Sequence, residues 1–155
     1  MTRAIAILAV LLPLGLSSCR QLQGPPRVKI GGHVWKVEMV LDRESRAKGM
    51  GGRKVIPEGT GMLFVFPREE VLTFHMLDCT VPLDVAFIDT KGVIVEIRGM
   101  SVEACPADPK AMYPSRFPAQ YALEVAEGAL RKAGVKVGDK VELLGQAAGA
   151  TKDAR

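Results

Sequence analysis

From Val34 to Leu41 the apolar residues Trp35, Val37, Met39 and Leu41 alternate with Lys36, Glu38 and, less cleanly, Val40. A period of two predicts a half-buried strand. Asp42 then caps a predicted short helix, in which Glu44 and Lys48 stand four apart and which Gly49 can end. Pro57, Gly59 and Gly61 mark a loop. After it, Met62 to Phe66 reads as a short strand that stops at Pro67, with Leu72 to Met76 as its hairpin partner. In that partner Leu72, Phe74 and Met76 share one face, which puts Thr73 and His75 on the other.

Val85 to Ile88 is apolar on both faces and predicts a central strand, and Thr90-Lys91-Gly92 turns it into a hairpin with Val93 to Arg98. Four prolines between Pro106 and Pro118 break any ladder or helix, so a long irregular loop is expected there. Gln120 to Val125 returns as a strand with Tyr121, Leu123 and Val125 inward, which leaves Glu124 on the outward, solvated side. Ala126 to Ala133 predicts a second short helix ended by Gly134, and Gly138-Asp139 gives a last tight turn within Val135 to Leu144. The expected class is α+β and strand-rich: a small, mostly antiparallel sheet, curled or closed as a barrel, with two short helices at its ends.

The first 18 residues break this pattern. Arg3 precedes an apolar run from Ala4 to Leu16 and small residues Ser17 and Ser18, the layout of a secretory signal and too short for a stable membrane span. Leu16-Ser17-Ser18-Cys19 resembles the box of bacterial lipoproteins, in which the cysteine is acylated and becomes the mature N-terminus. Two or more acyl chains hold a protein stably at a membrane surface, whereas one is marginal. The residue after Cys19 is Arg20, where Asp often marks retention at the inner membrane, so the periplasmic face of the outer membrane is expected if the cell has one. The expected organisation is a signal at 1–18, a Pro-containing tether at 19–27, one domain at 28–145 and a disordered tail at 146–155.

With 21 Lys and Arg against 17 Asp and Glu, the chain is mildly basic and has no basic run able to track a phosphate backbone, so nucleic acid is not an expected partner. An exported compartment is oxidising, which makes Cys79 and Cys105 candidates for a disulfide, with two buried thiols as the alternative. The densest chemistry lies from Phe74 to Asp84, where His75, Asp78, Cys79 and Asp84 interrupt an apolar stretch. His75 with Asp78 or Asp84 has the parts of a general base and its orienting carboxylate; the plainer alternative is turn carboxylates beside a half-exposed histidine. A zinc site on His75, Asp78 or Cys79, and Cys105 has too few ligands, since the chain has only two His and no Cys-x-x-Cys pair; no cofactor is implied. Lys48 to Arg53 follows a predicted helix and lacks the Lys-Ser/Thr pair of a phosphate loop, so it reads as a helix end. Arg53, Arg68, Arg98 and Arg116 are candidates to converge with Tyr113 and Glu124 on a polar ligand.

Four blocks occur in order: Gly49-Met50-Gly51-Gly52-Arg53; Pro57 to Pro67; Val81-Pro82-Leu83-Asp84-Val85-Ala86-Phe87-Ile88-Asp89; and Tyr121-Ala122-Leu123-Glu124-Val125 with Val137-Gly138-Asp139. Together they resemble the bacterial and archaeal domain of unknown function 192. The resemblance implies a small strand-rich domain, often exported or lipid-anchored, with no established activity or catalytic residue to carry over. Such proteins commonly show Phe-Trp-Met-Lys-Asn-Thr where this chain has Phe74-His75-Met76-Leu77-Asp78-Cys79, so a ligand held by that Trp and Lys would meet different chemistry here. Many also have a second cysteine in the Pro-rich loop, where this chain has Lys110, which leaves Cys105 to seek Cys79.

The expected function is a lipid-anchored binding or interaction module of the cell envelope. It would use His75, Asp78, Asp84, Tyr113, Glu124 and Arg53 for a polar ligand or an envelope partner. The alternatives are an envelope hydrolase built on His75 with Asp78 or Asp84, and a structural envelope protein without a small-molecule site.

Overall fold

The computed structural model describes residues 24–102 and 112–155. The expected signal segment, the acylated Cys19, Cys105 and Lys110 lie outside the described residues. The strands are β1 (Arg27–Ile30), β2 (His33–Val40), β3 (Thr60–Glu70), β4 (Thr73–Phe74), β5 (Leu83–Ile88), β6 (Ile94–Met100), β7 (Tyr113–Pro114), β8 (Ala119–Ala126) and β9 (Val141–Leu144). Two short helices, α1 (Arg43–Lys48) and α2 (Ala129–Lys132), and a 3-10 helix at Gly145–Lys152 complete the order. The α1 cap forms as the sequence predicts: an Asp42 carboxylate oxygen accepts a 2.9 Å bond from the Ser45 amide, and that bond is the leading cause holding the Asp42 carboxyl below its usual range.

Seven strands form one sheet in the order β6-β5-β8-β3-β2-β1-β9, curled into a half-barrel. Every pairing in it is antiparallel except β2 with β3, so the sheet is mixed. That parallel step differs from the hairpin-only reading. Its cause is the connection through α1 and the following glycine-rich loop, which returns the chain to the same end of the sheet. The curl brings the two edges together at one corner, where the Ile94 amide donates to Asp139 O (3.0 Å) and the Val141 amide to Gly92 O (2.8 Å).

Alternation along the strands sorts side chains between two cores. Trp35, Val37, Leu63, Val65, Ala86, Ile88, Leu123 and Val125 fill the concave side. Met62, Phe64, Val85, Phe87 and Ala122 face the convex side, which the chain covers with Met50, Ile56, Leu72, Phe74, Met76 and Cys79. The segment from Leu72 to Met76 is therefore a cover and not the hairpin partner of β3: β4 pairs with β7 in a separate two-stranded ladder. β3 also runs on beyond Pro67. Its register with β8 shifts between Val65 and Glu70, so the proline falls where no ladder amide is required.

Both termini of the described domain are tied in. The Gln146 amide donates to Gly24 O (3.2 Å) and the Val37 amide to Pro26 O (3.1 Å), so the fold takes in Gly24 to Pro26, residues expected to serve as tether. The expected disordered tail instead forms the 3-10 helix, which buries Ala147 and Ala150 in the concave core; Tyr121 and Thr151 share a hydroxyl–hydroxyl bond of 3.2 Å. Small residues there permit close packing, where composition alone suggested solvent.

Candidate functional site

β8 lies inside the sheet between β5 and β3 and is buried on both faces. Its convex-side residue Glu124 therefore sits under the cover, 3% exposed, between Met62 of β3 and Val85 of β5. This overturns the expectation of a solvated carboxylate. Among the described residues, Glu124 Oε2 has no hydrogen-bond partner although it is out of reach of solvent. Burial pushes its carboxyl up to about 8, opposed only in part by the Arg53 guanidinium, so the group is mainly the neutral acid at pH 7.

Arg53 does not complete it because its fork is already taken. Nη1 and Nη2 donate to the two carboxylate oxygens of Glu38 at 2.8 and 2.6 Å. That bond, more than the Coulomb attraction, holds Glu38 below the usual carboxylate range and raises Arg53. Glu38 on β2 and Glu124 on β8 both stand in register with Met62 on the β3 strand between them, so a single cross-strand row carries both carboxyls.

Glu124 opens on a cavity of about 250 Å³. α1 contributes Arg43, Arg46 and Ala47, β3 contributes Phe64 and Phe66, and the cover contributes Phe74 and His75. The Phe74 ring packs edge-on against Phe64 and Phe87, with centroids 4.8 and 5.6 Å away, which fixes the wall. Arg46 lies 4.8 Å over the Phe66 ring and donates to the carbonyls Leu41 O (2.6 Å) and Val65 O (3.0 Å) and to an oxygen of the last residue, Arg155 (2.6 Å). His75 Nδ1 accepts from the Leu77 amide at 3.2 Å, leaving Nε2 for other partners.

The remaining predicted residues scatter around this cavity. Asp84 alternates with Ala86 and Ile88 and so lies on the opposite face from Glu124, where its Oδ2 accepts from the Gly128 amide at 2.8 Å. Burial raises its carboxyl, with that amide opposing. It lines a different cavity with Arg131 and Ile97, so His75 and Asp84 do not form a pair. Asp78 occupies a left-handed turn (φ 56°) beside Cys79 and takes no part in the cavity lining. Its backbone oxygen accepts from the Gly52 amide at 2.9 Å, and at the adjoining Gly51 a Cβ would stand 3.0 Å from Lys48 O and 3.3 Å from Leu77 O, which leaves little room for a side chain.

Cys79 is buried, and burial, then Glu124 and Asp78, push its thiol up to about 11, the reverse of what a nucleophile requires. Its expected partner Cys105 is outside the described residues. Tyr113 pairs with Phe74 across the β4–β7 ladder, and its hydroxyl accepts from the Ser101 amide at 3.3 Å. Arg98 and Arg116 meet at Glu96 instead: Arg98 Nη2 donates to Oε1 at 2.5 Å and the Arg116 amide to Oε2 at 2.6 Å. Arg68 is exposed and paired with Glu70. Thus His75 and Glu124 share one cavity and Arg53 acts on it through charge, while Arg43, Arg46 and the three phenylalanines were not singled out in the sequence. Among the described residues, no three His, Cys, Asp or Glu side chains gather as a metal site, and no helix is long and apolar enough to cross a membrane.

A strand-rich half-barrel with one face covered by its own loops, and a small cavity beneath that cover, defines the class. The chain belongs to the family of domain of unknown function 192, described as "Uncharacterized ACR", which it matches over residues 26–143. It is similar to a solved Sinorhizobium meliloti 1021 protein, provisionally described as a transcription regulator, at 30% identity and a TM-score of 0.68, over 78% of this chain and 95% of that one. It is also similar to a protein of unknown function from Novosphingobium aromaticivorans DSM 12444, at 26% identity and a TM-score of 0.67, over 83% and 99%. No curated protein matches it.

Proposed function

We propose that this chain is a lipid-anchored binding module of the cell envelope that takes a small polar ligand in the cavity above Glu124. The observation that carries this reading is that Glu124, which lines that cavity, has a buried carboxyl oxygen without a partner. A polar group shut away from water without a partner costs about 1–3 kcal/mol, so a ligand that supplies the missing bond recovers that energy. Aromatic walls with a few convergent polar groups are the usual make-up of a small-molecule site, and about 250 Å³ lies below the roughly 300–1,000 Å³ typical of drug-sized ligands.

Placement in the envelope rests on the lipoprotein box at Cys19, and Arg20 after it favours the outer membrane. The binding reading has more support than hydrolysis. Asp84 is across the sheet, and His75 Nδ1 accepts a backbone bond instead of donating to an orienting carboxylate.

A thermal-shift screen of glycans, nucleotides, amino acids and metals against the wild type and Glu124→Gln tests the binding claim. A ligand at about 100 times its Kd adds about 2.7 kcal/mol, which raises Tm by roughly 5–10 °C in a domain of this size. The shift is expected in the wild type and lost in the variant; a shift of equal size in both removes Glu124 from the site. Incorporation of labelled palmitate, abolished by Cys19→Ser, tests the anchor, and equal labelling of the two refutes it.

A further inference from the structure

We infer that the Glu124 cavity seats a small amino acid as its zwitterion, the ammonium group on the Glu124 carboxyl and the carboxylate on the Arg43 guanidinium. This deepens the binding reading above and rests on it. The acid of the cavity has no donor from the protein: Arg53, the guanidinium whose charge acts on it, gives both arms of its fork to Glu38. An ammonium brings three donors and a compensating charge, whereas a hydroxyl brings one donor and none.

The α1 side of the cavity has the opposite character. Among the described residues the Arg43 side chain is in no hydrogen bond or ion pair, whereas Arg46 is held by Leu41 O, Val65 O and an oxygen of Arg155, the last residue, so Arg43 is the uncompensated guanidinium of the cavity. Glu70, the other acid lining the cavity, is paired with Arg68 at 3.1 Å. An unpartnered acid and an uncompensated guanidinium lining one small cavity favour a molecule carrying both charges over a simple amine or a simple acid. The Phe64, Phe66 and Phe74 rings suit a short apolar side chain.

Proton linkage separates this ligand from a neutral polyol. The charged and titratable groups around Glu124 are Arg53 from the loop after α1, Arg43 and Arg46 on α1, Glu38 on β2, Glu70 at the end of β3, and His75, Asp78 and Cys79 in the cover. Because the free carboxyl holds its proton to about pH 8, seating an ammonium displaces that proton, and affinity rises as pH goes from 6 to 8.

The experiment is calorimetric titration of the full chain at pH 7 in two buffers of different ionisation enthalpy. The probes are glycine, L-alanine, L-serine and L-valine, with n-propylamine, propionate and glycerol as partial mimics. At least one amino acid is expected to bind with release of nearly one proton, and each single-charge mimic to bind on the order of tenfold more weakly or less. Glu124→Gln should lose amino-acid binding by at least about tenfold while keeping a cooperative melt, and Arg43→Ala should weaken the amino acid but leave propylamine unchanged. Glycerol binding that is lost in Glu124→Gln, with no amino acid bound, overturns the zwitterion and keeps the cavity as the site. Amino-acid binding unchanged in Glu124→Gln, or without proton release, also overturns the inference. Failure of every probe, glycerol included, overturns the zwitterion, and the binding reading is then decided by the wider thermal-shift screen.

Discussion

Replacing Glu124 by Gln keeps the shape of the side chain and removes its ionisation, so the variant isolates what burying this acid costs the fold. In the folded chain burial pushes the carboxyl up to about 8, against an ordinary value of 4.5. A pKa raised by folding means the native state binds the proton more tightly than the unfolded state does. The stability linked to that proton is complete below pH 4.5 and is lost as pH rises toward 8. At 1.36 kcal/mol per unit, the wild type gives up about 3 kcal/mol by pH 7, and between pH 5 and pH 8.5 about 4 kcal/mol. For a domain this size that is a fall in Tm on the order of 10 °C. Urea or thermal unfolding of both proteins at half-unit steps from pH 5 to 8.5 measures the difference directly, since groups common to the two cancel. The gap should be small at pH 5 and widen in favour of Glu124→Gln with rising pH. Parallel curves would refute the reasoning, because they would mean that the buried carboxyl keeps its ordinary pKa through a partner or water.

Three further expectations follow from the same packing. Gly61→Ala places a Cβ 2.6 Å from the Glu124 backbone oxygen and 3.0 Å from Val125, between β3 and β8, so it should cost about 1–3 kcal/mol by urea denaturation; a neutral result would mean that these strands separate easily. Phe74→Ala removes the ring held between Phe64 and Phe87 and should cost about 3–5 kcal/mol in the same assay, with a cost below about 1 kcal/mol arguing that the cover is loosely docked. In reduced protein at pH 8 the Cys79 thiol, raised to about 11 and buried, should alkylate only on unfolding, as mass spectrometry of its peptide would show; fast native alkylation would place it at the surface.

The periodicity of two around Trp35, Val37 and Met39, the capping Asp42 and the turn before Val93 were legible because each is a local choice that the fold does not overrule. What the sequence hid was mostly non-local. The stretch Leu72 to Met76 alternates as a strand should, yet alternation does not name a partner, and its apolar face went to the convex side of the sheet while its backbone paired with β7. That one rearrangement changed the meaning of Glu124. Read alone, an outward Glu on a strand is solvated; beneath a cover it is a buried acid. A signal was present in the neighbouring outward positions Ala122 and Ala126, which are small and apolar where a wet face would carry polar side chains. Strand parity also decides Asp84: it lies one residue from Val85, so it had to project to the face away from Glu124, whatever its closeness to His75 along the chain. The cavity residues Arg43 and Arg46 had no signal of their own, because a charged residue on a six-residue helix looks the same whether it faces solvent or a pocket.

The most direct test is the titration of the Glu124 side-chain carboxyl itself, followed by its carbon-13 chemical shift from pH 4 to 10 in the ligand-free chain. A midpoint near 8 is expected for a neutral acid awaiting a partner beneath the cover. A midpoint in the ordinary carboxylate range would contradict it and leave the cavity without its distinguishing group.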